Sequence, residues 1–155
     1  MSAEDEAFAR YGQALADAVE RALGPWVTGA VEQRLAPVRP TPEVAARTEA
    51  AAAEATAEIG RRLRDLLALD LEDQWTNPLA IIRQAVAWPT AVLAEAGAPP
   101  VDRDDHEARL HPDDVYALTP AAFADLGPEV HDAGLVWGAA KAHVHLRRRA
   151  AVERP

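Results

Sequence analysis

Residues 77–96 read NPLAIIRQAVAWPTAVLAEA, with Trp75 just ahead, and carry only two charges, Arg83 and Glu95. Leu79, Ile82, Val86 and Leu93 form one apolar stripe at helical spacing, and Ile81, Ala85, Trp88 and Val92 form a second beside it. A helix apolar over so much of its surface is buried by neighbours. Asn77 suits an N-cap and Pro78 the first helical position. Pro89 lacks the amide proton and clashes with the carbonyl of Ala85, so a kink or break is expected there. This stretch sets the expectation of an all-α chain: a compact helical bundle of five to seven helices around a central apolar helix.

The segments before it follow the same period. Ser2-Ala3-Glu4-Asp5 reads as a capping box, followed by Phe8, Tyr11, Leu15, Ala18 and Ala22 at helical spacing. Gly24-Pro25 is expected to end that helix and start another, with Val27, Val31 and Leu35 spaced four apart, giving a helical hairpin over 1–35. The proline-rich stretch 36–42 reads as a stiff connection. Thr41 and Pro42 then cap and start an Ala-rich helix running to about Leu69, with Ala52, Ala55, Ile59, Leu63 and Leu66 facing inward. Short helices are expected from Pro112 and Pro120, and a last one from about Pro128 to Arg149 with Val130, Ala133, Trp137, Ala140 and Val144 inward. No strand or internal repeat is visible. The 155 residues fit one domain, with a main bundle over 43–149 and a tail at 150–155.

Composition excludes several function classes. The chain has no cysteine, so disulfides, thiolate metal sites and cysteine nucleophiles are out. Its net charge of −9 argues against binding nucleic acid. The acidic start lacks a signal-peptide pattern and no run is long and apolar enough to span a bilayer, which reads as a cytoplasmic protein without membrane contact. Aromatics are only 5% of the chain, so Trp26, Trp75, Trp88 and Trp137 stand out as packing anchors. Trp75, Trp88 and Trp137 are expected mostly buried, and Ile82, Val86 and Leu93 fully so.

Catalytic constellations are scarce. Ser2 is the only serine and serves as a cap; no nucleophile elbow, phosphate loop or dinucleotide fingerprint exists, and no cofactor is implied. His143 and His145 project to different sides of a helix, and His131 lies roughly 21 Å from His145 at 1.5 Å per residue. Lys141, the single lysine, reads as solvated on the polar side of the last helix rather than as a Schiff-base amine. The one cluster with ligand chemistry is the acidic stretch 102–114. There Asp104, His106, His111, Asp113 and Asp114 are candidate ligands for a divalent cation. They miss the calcium-loop template, and Asp113 and Asp114 also suit the first turn of a helix.

Gly134, Gly138 and Ala142 place small residues on one helix face, which favours close helix contact inside the fold or across a dimer. Basic charge gathers at Arg147, Arg148 and Arg149, opposite in sign to the acidic stretch. The segment WTNPLAIIRQAVAWPTAVLAEAGAPPV with the later PDDVYALTPAAFADL resembles an uncharacterised family of conserved actinobacterial helical proteins over about residues 75–149. That resemblance implies no activity.

Two functional expectations follow. The first is a non-enzymatic interaction module, an adaptor or regulator, forming a homodimer or binding a protein partner. Its contacts would come from Phe8, Tyr11 and Leu15, or from the Ala-rich face around Ile59, with Arg147, Arg148 and Arg149 available to an acidic surface. The alternative is a small-ligand or metal-dependent enzyme using residues 102–114.

Overall fold

The computed structural model describes residues 3–69, 78–99 and 126–153, and every regular element among them is helical. α1 spans Ala3–Leu35 and α2 spans Pro42–Leu67. α3 (Pro78–Arg83) passes through a 3₁₀ turn at Gln84–Val86 into α4 (Ala87–Glu95), and α5 spans Pro128–Glu153. Asn77, Trp75 and the two helices expected from Pro112 and Pro120 lie outside the described residues.

α1 corrects the first expectation. Residues 3–35 form one continuous helix with Pro25 inside it, not a hairpin. The local cost of an internal proline is about 3 kcal/mol. Against it stands a buried stripe that keeps register across the proline: Leu15, Val19, Leu23, Val27 and Val31 are all fully buried. Each such side chain contributes about 1.5–3 kcal/mol on burial. Pro25 and Arg21 sit on the exposed side, where solvent can satisfy the carbonyl that Pro25 leaves without a donor.

α2 starts as its sequence requires. The Val44 amide donates to the Thr41 hydroxyl at 3.2 Å and Pro42 occupies the first turn. Ala55, Ile59, Leu63 and Leu66 turn inward as expected, and Ala51 is buried where Ala52, expected inward, is only half-buried, so the alanine face brings a neighbour close instead of lying exposed. That neighbour is α1, running antiparallel: Gly12 lies by Leu67 and Gly24 by Thr56. The 78–95 segment runs antiparallel to α2, tied at its 3₁₀ turn by an Arg62–Gln84 contact and at its end by an Arg47–Glu95 contact.

The break expected from Pro89 is present as the 3₁₀ turn, which includes Ala85, the residue whose carbonyl Pro89 would crowd. Ile81, Ile82, Ala85, Val92 and Leu93 are buried. Val86 and Trp88, expected deeper, are only half-buried. Trp88 and Trp26 each pack against both of two apolar clusters, so they bridge them instead of filling one. The first cluster joins α1, α2, α3 and α5, and the second joins α1, α2 and α4. The α1–α2 pair is common to both.

α5 lies antiparallel to α1. Asp5 meets Arg148 at 2.8 Å at one end, and Arg21 pairs with Glu129 at the other. Val130, Trp137 and Val144 are buried as the period requires. No described helix is long and apolar enough to cross a membrane.

Candidate interaction face

The seam between the first turns of α1 and the second half of α5 holds the molecule's least expected side chain. Lys141 is 1% exposed, with its ammonium 5.0 Å above the Trp137 ring. The expectation of a solvated lysine is therefore corrected. The signal was present in the sequence: Lys141 follows Trp137 by four and precedes Val144 by three, so helical geometry puts it on the inward stripe. Residue type pointed outward and the period pointed inward, and the period wins. Burial pushes the Lys141 ammonium down to a pKa of about 8. Trp137 also stacks on Phe8, ring centroids 6.1 Å apart.

Above this layer a groove of about 540 Å³ runs between the two helices. α1 supplies Glu4, Ala7, Phe8 and Tyr11; α5 supplies Val136, Ala139, Ala140, His143, Val144 and Arg147. Both sets have helical spacing, and most of the lining is apolar and small. One end is closed by polar side chains: Arg147 lies 3.3 Å from Glu4, and the His143 Nε2 lies 3.8 Å from it. Arg147 and Arg148 thus meet the acidic start of α1. The acidic stretch 102–114, expected as one possible partner for them, lies outside the described residues. Such half-exposed pairs contribute roughly 0.2–1 kcal/mol each. Arg149 lies on the exposed face.

The structure divides the expected interaction residues. Leu15 and Ile59 are fully buried between α1 and α2, which removes them from any surface. That is a correction with a simple cause: the two stripes thought to lack internal partners are each other's partners. Phe8 is half-buried, and Tyr11 keeps 39% of its surface exposed beside the groove. Asp104, His106, His111, Asp113 and Asp114 lie outside the described residues. Among the described residues no group of three His, Asp or Glu side chains is placed to hold a metal ion.

A second polar group, unmarked by any sequence pattern, sits on the α1–α2 seam. The Arg64 Nε donates to Glu20 Oε1 at 2.7 Å and its Nη2 to Oε2 at 2.8 Å, while Asp17 takes a further bond from Nη2. Hydrogen bonding from Arg64 holds the Glu20 carboxyl below its usual range, and the same bonds raise the Arg64 guanidinium. Gly60 makes room: a Cβ there would stand 2.6 Å from Glu20 Oε1. A cavity of about 360 Å³ opens beside Arg64. Two carboxylates already neutralise the guanidinium, so the group is a clamp between helices and not an anion site.

No family model matches the chain, and neither a curated protein nor a solved structure matches it at a significant level.

Proposed function

We propose that this protein is a non-enzymatic helical interaction module, an adaptor or regulator that works as a homodimer in the cytoplasm. The observation that carries the reading is where exposed apolar surface collects. Of the seven large apolar side chains left exposed among the described residues, four (Leu135, Val136, Leu146 and Val152) lie on α5, and Tyr11 flanks the groove beside it. Scattered exposed apolar residues are ordinary, but their concentration along one helix supports a contact surface there. The absence of a nucleophile or nucleotide motif from the sequence supports the same reading. The proposal includes a single domain of five to seven helices in which the apolar 78–95 segment is central.

The homodimer is tested by light scattering at micromolar concentration, which should report about twice the 16.7 kDa chain mass. The chain mass alone, up to high concentration, would remove the homodimer from the reading. Millimolar Mg²⁺, Mn²⁺ or Zn²⁺ should leave the melting temperature unchanged. A rise abolished by Asp113→Asn with Asp114→Asn would replace the proposal with the metal-dependent alternative.

A further inference from the structure

The apolar interior is divided at one level, and each element that crosses the level is weakened there. Among the described residues, α1 passes from the first cluster to the second between Leu23 and Val27, α2 between Ile59 and Ala55, and the 78–95 segment between Ala85 and Val92. The crossings share one height: Gly24 faces Thr56, and Trp26 and Trp88 each touch both clusters. In α1, Pro25 leaves the Arg21 carbonyl without its helical donor. Gly29, one turn further on, is exposed, and no described atom stands within 4 Å of where its Cβ would be. No close approach requires a glycine there, so its effect is to weaken the helix. In α2 the Thr56 hydroxyl donates to the Ala52 carbonyl at 2.8 Å, a bond that competes with the helical ladder. The 78–95 segment passes from α-helix to 3₁₀ turn and back over Gln84–Val86.

We propose that the fold carries a hinge at this level: the second half of α1, the first half of α2 and α4 open together as one unit while the half that holds α5 stays folded. The two halves are unequal. The first cluster has fifteen buried residues among those described, Trp137 and Val130 of α5 included, and the second has six. Burial of apolar surface is what holds each half shut, so the second opens first. α1 and α2 run through both halves, and a partial opening needs points at which each can stop being helical. Pro25 is such a point in α1 and Thr56 in α2, and the 3₁₀ turn already separates α3 from α4. Trp26 and Trp88 lie across the level and set how tightly the two halves are coupled. The hinge belongs to the single chain and does not depend on the homodimer.

Hydrogen exchange of the full native chain, followed amide by amide by NMR under conditions where exchange reports the opening equilibrium, reads the division. Amides of residues 27–34, 48–55 and 92–95 should share one opening. They should exchange faster than those of residues 15–23, 59–67 and 130–144. Ile82→Val alters the α5-bearing half alone, where Ile82 is buried. It should speed exchange in the slow set by about two- to twelve-fold, the usual cost of that truncation expressed as a rate. It should leave the fast set unchanged, because Ile82 stays packed before and after the partial opening. Gly29→Ala should slow both sets by about four- to five-fold, the difference in helix propensity, because residue 29 is released in the partial and in the complete opening. Uniform acceleration of every protected amide in Ile82→Val would make the fold one cooperative unit and overturn the hinge. Gly29→Ala rates over 27–34 that match the wild type would overturn it as well, since residue 29 would then lie outside the opening unit.

Discussion

The two seams that α1 makes with its neighbours are built on different principles. Toward α2 it offers an apolar stripe and a clamp. Leu15, Leu23, Ile59 and Leu63 are fully buried, and Arg64 grips Asp17 and Glu20 where Gly60 leaves space. Toward α5 it offers one aromatic stack, a buried lysine, an open groove and ion pairs at the rim. The first seam satisfies its own surfaces. The second leaves apolar surface on the far side of α5 uncovered. A helix packed on one face with apolar side chains exposed elsewhere is the feature on which the proposed contact surface rests.

The largest test of the contrast is truncation on each side. Leu63→Ala should cost about 2–5 kcal/mol in denaturant unfolding, because it opens a cavity in the closed seam. Leu146→Ala, on the bare face, should stay within about 0.5 kcal/mol for the isolated chain. Equal losses at the two sites would erase the distinction.

The buried lysine gives the α1–α5 seam a pH dependence of calculable sign. The folded pKa of about 8 lies below the ordinary 10.5, so between these values the unfolded chain binds more protons than the folded one. Stability should therefore rise as pH increases through that window, by up to about 3 kcal/mol from the size of the shift. Below pH 8 both states are charged and the folded state bears the full desolvation cost. Because Lys141 is the only lysine, Lys141→Met should flatten the rise, measured by chemical unfolding at pH 7.5 and 10. A rise of the same size in the variant would show that another group titrates.

The smallest expected effect sharpens the picture of the clamp. Gly60→Ala should destabilise by about 1–2 kcal/mol, the clash with Glu20 outweighing the roughly 1 kcal/mol that alanine gains in a helix. In a Glu20→Ala background the sign should reverse, since the atom in the way is gone. Destabilisation that persists there would place the clash elsewhere.

Much of this was legible before any coordinates. Thr41-Pro42 marked a helix start, Pro89 marked an interruption, and the 3.6-residue period gave the inward stripes of α2 and α5. What was misread has a common cause. Pro25 is a local helix breaker, yet a stripe buried on both sides of it outweighs the local cost. Lys141 is a surface residue by type, yet it stands on an inward position of a helix that needs that face covered. Phe8 and Tyr11 kept a place near the candidate face, while Leu15 and Ile59 were lost to it because the α1 and α2 stripes that carry them cover each other.

The sequence by itself determined the all-helical class and where most of the helices begin and end, because period, caps and breakers act within a few residues. Only the tertiary structure decided which stripe covers which. Phe8 and Trp137, Arg64 and Glu20, and Asp5 and Arg148 are distant in the chain, and their pairing depends on helices meeting in one particular order and direction. Contact energies between distant residues leave no periodic trace in the sequence, so the groove and the exposed face of α5 became visible only when the helices were assembled.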